Sequence, residues 1–162
     1  MHTTATTTVS THLSTNLSEN ITYLKKLLPI GKSFDLVTRD LYLGQTKAFW
    51  IGINGFCKAE LLQRVFSDLQ NPSYTQDENI QNLSCYVNSK IGYIQTTLCD
   101  TWDTLLQNLL SGPSVLLVDG FDRAVLLDAR TYPVRSIAEP DTERVTRGSR
   151  DGFVETLLFN AN

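Results

Sequence analysis

The feature that most constrains the fold is an apolar run, Val115 to Val118, that ends at the turn sequence Asp119-Gly120. Because successive side chains of a strand point to opposite faces, a run without polar positions is typical of a central strand that is buried on both faces. A second apolar run, Ala124 to Leu127, comes after the turn and predicts the neighbouring strand. The chain must therefore contain a small sheet with helices to cover it.

Helices to cover this sheet are predicted from apolar residues at helical spacing. The clearest stripe lies between Leu61 and Leu69, and Pro72 ends it. Three further helices begin behind candidate N-cap residues, which are Ser18, Asp77 and Asp100.

Runs rich in β-branched and aromatic residues predict further strands at 34–43, 46–53 and 93–98. Gly44-Gln45 joins the first two runs as a hairpin, and the alternation slips phase near Thr38, which predicts a bulge there. In chain order the elements read α-β-β-α-α-β-α-β-β. This order predicts an α+β fold, with a small mixed β-sheet of about four or five strands covered by helices, ending in a linker and a truncated helix.

Composition divides the chain into three segments. Met1 to Ser18 holds seven Thr and three Ser, so we expect residues 1–17 to form a disordered tail that the fold does not need. Residues 18–133 are predicted to form the α+β subdomain. Residues 134–162 are predicted to be an Arg-rich linker and the start of a helix of the next subdomain. That last helix has nothing of its own to pack upon, so we expect the chain to be a fragment of a longer protein.

Charge and residue usage argue against several classes of function. With 14 Lys plus Arg against 17 Asp plus Glu, the net charge of −3 gives no reason to bind nucleic acid or an anionic membrane surface. The three cysteines lack a CxxC spacing and both histidines, His2 and His12, lie in the predicted tail. We therefore expect no metal, no cofactor and no enzymatic activity, and we expect the cysteines to be buried thiols.

Arginine is concentrated late in the chain, where six of the eight arginines lie between Arg123 and Arg150 and no lysine follows Lys90. A guanidinium group can bond both oxygens of a carboxylate, which a lysine ammonium group cannot do. Two interpretations stay open: a solvated, charge-mixed linker, or a carboxylate–guanidinium network that fixes the direction of the segment after Pro133. The candidate interaction or coupling network consists of Asp128, Arg130, Arg135, Glu139, Asp141, Glu143, Arg144, Arg147, Arg150 and Asp151.

The motif Asp128-Ala-Arg130-Thr-Tyr132-Pro133, followed further on by Arg147-Gly148-Ser149-Arg150-Asp151-Gly152-Phe153, resembles the signature of the GerA-type spore germination family. The similarity covers roughly residues 24–160. In a sporulation branch of the family it extends to Ser33-Phe34-Asp35-Leu36 and Asn54-Gly55-Phe56-Cys57. The residues that carry the resemblance are Asp128-Ala-Arg130-Thr-Tyr132-Pro133-Val-Arg135, followed by Glu139-Pro140-Asp141-Thr-Glu143-Arg144-Val-Thr-Arg147-Gly148-Ser149-Arg150-Asp151-Gly152-Phe153-Val-Glu155.

The resemblance implies a soluble N-terminal domain of an inner-membrane protein of the dormant spore, on the cytoplasmic (spore core) side. It also implies a membrane subunit of an oligomeric complex that responds to germinants and releases ions. The resemblance implies a role in assembly or signal coupling, with other subunits of the complex as partners in a homo-oligomer. The membrane would be reached only through the missing C-terminal part. The alternative is a germinant-binding module, which requires a concave site lined by polar groups.

Overall fold

Nine helices and strands make up the part of the chain that the computed structural model describes, residues 11–72 and 80–130. The chain divides into two units, Met1–Thr131 and Tyr132–Asn162, and every described residue belongs to the first. In chain order the elements are α1 (Leu17–Leu27), β1 (Leu36–Leu43), β2 (Thr46–Ile53), α2 (Ala59–Gln70), α3 (Leu83–Ile91), β3 (Gln95–Cys99), α4 (Trp102–Ser111), β4 (Ser114–Val118) and β5 (Ala124–Asp128).

The five strands form one sheet in the order β1-β2-β4-β5-β3, and the four helices complete the predicted α+β fold. The sheet was expected to be mixed, but all four strand pairs are antiparallel. Parallel neighbours need a crossover connection between adjacent strands. Here the helical crossovers link β2 to β3 and β3 to β4, which are not neighbours in the sheet.

Helices cover both faces of the sheet, and β4 is buried along its whole length as the sequence predicted. Leu116 and Val118 pack with Val65 of α2 and Val87 of α3 on one face. Val115 and Leu117 pack with residues of α1 and α4 on the other face, among them Leu24, Leu105 and Leu109. The strand alternation thus places one apolar run in two separate cores.

The β1–β2 hairpin is confirmed at Gly44-Gln45, where Gly44 has a φ of 63°. The bulge predicted near Thr38 is absent, since the register runs without interruption from Leu36↔Ile53 to Leu43↔Thr46. The phase slip arises because the solvent-exposed residues of β1 are not all polar: Val37 is 42% exposed at the sheet edge.

α1 and α4 begin within two residues of the predicted caps, whereas α3 begins several residues later than predicted. The side chain of Asn16, rather than Ser18, accepts the first N–H groups of α1. Thr101, rather than Asp100, caps α4, and Asn82 caps α3. Asp77, the expected cap of α3, lies outside the described residues.

The segment from Thr11 to Leu17 belongs to the fold, although the sequence predicted a tail as far as Leu17. Leu13 is 5% exposed and lies in the core formed by α1 and α4. Its N–H donates to the carbonyl of Asp100 at 3.0 Å, and the N–H of Trp102 donates to the carbonyl of Thr11 at 3.1 Å.

The same segment is also held at the β4–β5 turn. The N–H of Leu17 donates to the carboxylate of Asp119 at 3.0 Å, and the N–H of Gly120 donates to the carbonyl of Thr15 at 2.8 Å. The predicted boundary of the tail therefore lies too far along the chain. The Thr and Ser residues dominate the composition of this segment, although Leu13 and Leu17 within it are buried. The rest of the predicted tail, residues 1–10, lies outside the described residues.

Candidate functional site

Two of the ten predicted network residues, Asp128 and Arg130, lie in the described part of the chain. The others fall outside it, and the network beyond this pair stays a prediction. These eight are Arg135, Glu139, Asp141, Glu143, Arg144, Arg147, Arg150 and Asp151.

Asp128 and Arg130 form a two-bond ion pair at the end of β5. Arg130 Nε donates to Asp128 Oδ1 and Arg130 Nη2 donates to Asp128 Oδ2, both at 2.7 Å. The pair is partly buried, with 35% of the arginine side chain and 18% of the aspartate side chain exposed. Extended backbone places residues two positions apart on the same face, so the sequence itself aligns the two groups. A lysine at position 130 would make a point contact instead.

The backbone around this pair is held by the loop that follows β2. Arg130 forms an isolated antiparallel bridge with Cys57. The N–H of Lys58, which precedes α2, donates to the carbonyl of the buried Ala129 at 3.2 Å. The chain that leaves β5 is thus tied to the start of α2 over its next two residues.

The side chain of Arg130 also contacts the end of α4 at Gly112. A Cβ atom at Gly112 would lie 2.7 Å from Arg130 Cδ and 3.2 Å from Cγ, closer than ordinary contacts permit. Gly112 has a φ of 124°, which side chains rarely tolerate, and its N–H donates to the carbonyls of Asn108 and Leu109. One arginine therefore contacts the end of α4, the loop after β2 and the carboxylate of β5.

The Cys57 thiol lies at the same place, with its Sγ 4.0 Å from the carbonyl oxygen of Gly112. Burial raises the pKa of Cys57, a hydrogen bond with Ser114 opposes this shift, and the charge of Asp128 adds to it. The thiol is therefore held in its neutral form. The expectation of buried thiols holds for Cys99 and is wrong for Cys85, which is exposed, while Cys57 is intermediate.

A polar groove lies beside the ion pair, between α4 and the edge strand β3. Its volume is about 230 Å³, below the roughly 300–1,000 Å³ of typical small-molecule sites. Six of its nine lining residues have polar side chains. The groove therefore has the polar lining that a germinant-binding module requires, but its volume is smaller than that of typical small-molecule sites. The lining residues are Gln95, Thr97, Leu98, Thr104, Asn108, Pro113, Leu126, Asp128 and Arg130.

Sequence reasoning missed the neighbours of the pair. Nothing in the sequence spacing predicts that Gly112 or Cys57 lies beside Arg130. The local sequence signal was Gly112-Pro113, which is typical of the end of a helix and does not indicate a contact with Arg130.

Neither a metal site nor a membrane-spanning helix is present within residues 11–72 and 80–130. No group of His, Cys, Asp and Glu side chains there could hold a metal ion. None of the helices in the same ranges has the length and apolar character needed to cross a membrane.

Comparison with known proteins gives a consistent result. The family model described as Bacillus/Clostridium GerA spore germination protein matches residues 5–162. Stage V sporulation protein AF and spore germination protein B1, both of Bacillus subtilis (strain 168), are each 31% identical to this chain. Each alignment covers 85% of this chain and 28% of the relative, so the chain spans little more than a quarter of their length.

A solved structure shows the same fold. The crystal structure of the N-terminal domain of the A subunit of the Bacillus megaterium spore germinant receptor GerK3 matches with a TM-score of 0.63 at 30% identity. The match covers 77% of this chain and 50% of that chain.

Proposed function

The chain belongs to the GerA family of spore germination proteins, and on that premise we propose that it is the soluble N-terminal domain of a spore inner-membrane germination protein. The domain lies on the cytoplasmic, spore-core side and takes part in assembly or signal coupling of an oligomeric, ion-releasing germination complex. Its partners are other subunits of the complex, including copies of the full-length protein. Its role is coupling and not catalysis.

The observation that carries this proposal is the way the chain leaves β5. Arg130 bonds both oxygens of Asp128, lies against Gly112 and pairs with Cys57. A displacement of α4 or of the loop after β2 would therefore act on the arginine at the end of β5. The remaining predicted network residues would extend this coupling.

Arginine-to-lysine changes in the complete protein test the coupling role. Arg130→Lys, and separately the double change Arg147→Lys with Arg150→Lys, should lower either complex assembly or the germination response, because lysine keeps the charge and loses the two-bond geometry. Arg123→Lys is the matched control, since Arg123 is exposed and precedes β5. Assembly is measured in detergent extracts of spores, and germination by loss of spore refractility.

The free energy of unfolding of the isolated chain shows whether a variant loses function through lost coupling or through an unfolded domain. Arg130→Lys should lower the free energy of unfolding by only about 1 kcal/mol, because the pair is partly exposed. Normal assembly and normal germination in both sets of variants would reject the coupling role.

A second candidate function is favoured by the polar groove, in which a germinant would bind. Chemical-shift titration of the labelled chain with the germinants of the same spores should perturb the amides of Thr97 and Asn108. Asn108→Leu should remove the perturbation, while Arg123→Lys should not. Unchanged spectra at saturating germinant would reject this function and leave the coupling role untouched.

A further inference from the structure

β1 is an edge strand, and no described strand pairs with its outer side. It runs for eight residues without a bulge, proline or glycine. Natural proteins usually blunt an exposed strand of this length with a bulge, a proline or charged side chains, because its unpaired N–H and C=O groups can bind another strand. Of these features β1 has only two charged side chains, Arg39 and Asp40. β1 lies at the opposite edge of the sheet from β3, so a binding site on β1 is independent of the coupling role.

Two backbone hydrogen bonds show which residues of β1 face outward. The N–H of Asn54 donates to the carbonyl of Asp35 at 2.7 Å, so the odd-numbered positions bond to β2. The carbonyl of Lys47, the residue opposite Tyr42, instead accepts from Asp119 at 2.9 Å on the β4 side. Bonding alternates along an antiparallel pair, so the backbone groups of β1 that have no strand partner among the described residues are those of Leu36, Thr38, Asp40 and Tyr42.

The side chains along this edge carry one charge of each sign. Arg39 and Asp40 are both exposed and, as neighbours in a strand, lie on opposite faces of the sheet. The Arg39 guanidinium lies 4.9 Å from the centre of the Phe66 ring, which holds its charge over the α2 face. Large apolar groups flank the charges, with Phe34 97% exposed before the strand and Tyr42 54% exposed near its end.

We propose that β1 docks an extended segment of a partner protein as an antiparallel sixth strand, with a carboxylate facing Arg39 and a cation facing Asp40. The outward N–H and C=O groups of β1 favour an extended polypeptide as the partner, and the charges of Arg39 and Asp40 favour a partner with opposite charges at the facing positions. A second copy of this chain fits less well. In the register that pairs all four outward residues, Arg39 would face Arg39 of the other copy, and like charges directly opposite destabilise a strand pair.

A synthetic peptide as long as β1 provides the probe. In Thr-Val-Thr-Lys-Glu-Thr-Val-Val with blocked ends, Lys faces Asp40 and Glu faces Arg39. This peptide should bind the full 162-residue chain about tenfold more tightly than the peptide with Lys and Glu exchanged, from two cross-strand charge pairs. The double change Arg39→Glu with Asp40→Lys should reverse the preference.

Backbone changes separate strand pairing from simple charge attraction. N-methylation of the peptide lysine amide, which faces β1, should abolish binding, whereas N-methylation of the glutamate amide, which points away, should leave most of it. Thr38→Pro should also abolish binding, since it removes an outward N–H and leaves the bonds to β2. Circular dichroism checks that each variant is folded.

Binding is measured by calorimetry and self-association by sedimentation. No binding at millimolar peptide, equal affinity for the two peptides, or indifference to lysine N-methylation would overturn the proposal. A dimer of the chain that Thr38→Pro dissociates would also overturn it, by assigning the edge to a second copy.

Discussion

Replacing Gly112 with alanine tests whether Arg130 joins α4 to the chain that leaves β5. The φ of 124° at Gly112 is unfavourable for any side chain, and this backbone strain costs about 1–2 kcal/mol. The new Cβ must also displace Arg130, since it would lie 2.7 Å from Cδ. Losing the two-bond pair with Asp128 adds about 1 kcal/mol, given its partial exposure. Gly112→Ala should therefore lower the free energy of unfolding by about 2–3 kcal/mol.

Gly120→Ala is the matched control. Gly120 has a φ of 86° and no atom within 4 Å of the position where a Cβ would lie, so it reports backbone strain alone. It should cost about 1–2 kcal/mol. For a folded unit of this size, 1 kcal/mol corresponds to about 4 °C in Tm, so the two variants should be separated in thermal melts.

A double-mutant cycle with Arg130→Ala completes the test. Without the arginine side chain, Gly112→Ala should cost about 1 kcal/mol less than it does in the parent chain, and this difference is the coupling energy between positions 112 and 130. Urea melts of the four proteins measure it. If the changes in the free energy of unfolding are additive, the side chain of Arg130 does not interact with Gly112 at the end of α4. The coupling role proposed for Arg130 would then be rejected.

Three further outcomes are expected. A chain starting at Ser18 should lose about 3 kcal/mol or more of stability relative to one starting at Thr11, because Leu13 and Leu17 are buried; equal melting temperatures would contradict this packing. Burial and the charge of Asp100 raise the pKa of Cys99 to about 11, so a thiol reagent at neutral pH should modify exposed Cys85 first and Cys99 only on unfolding, as mass spectrometry would show. Although Tyr93 is 41% exposed, partial burial, the hydrogen bond that it donates to Asp68 and the charge of that carboxylate raise its pKa from 10.0 to about 12. Between pH 10 and pH 12 the folded chain keeps a proton that the unfolded chain releases, so the free energy of unfolding should fall as the pH rises through this range. The fall should be smaller in Asp68→Asn. An ultraviolet titration in which Tyr93 shows its ordinary pKa would contradict this prediction.

Much of the fold is written locally in the sequence. The apolar run of β4 indicates a buried strand and the helical spacing of apolar residues in α2 indicates a helix, and both elements lie where they were predicted. The caps of α1 and α4 lie one or two residues from the predicted ones, because Asn, Ser, Thr and Asp compete as caps at neighbouring positions. The antiparallel sheet and the packing of residues 11–17 depend on contacts between distant segments, such as Leu17 with Asp119, and no local pattern encodes these.

The site divides in the same way. Asp128 and Arg130 are two positions apart, and residue chemistry with strand geometry sufficed to pair them. The contact of Arg130 with Gly112 depends on where α4 ends relative to β5, a tertiary fact. The outward-facing groups of β1 are determined by the sheet order, which places that strand at an edge.

The position of β2 in the sheet has a consequence for how the chain is made. β2 ends at Ile53, but its inner neighbour β4 begins at Ser114, roughly sixty residues later. At about 5–20 residues per second, a ribosome takes roughly 3–12 seconds to synthesise the intervening stretch. During that interval Phe49, Trp50 and Ile51 of the β1–β2 hairpin lack the strand that will pair with them. The N-terminal segment must wait still longer, until Asp119 and Gly120 emerge to hold it. We therefore expect nascent chains halted before Ser114 to bind chaperones and those halted well beyond Arg130 to resist protease.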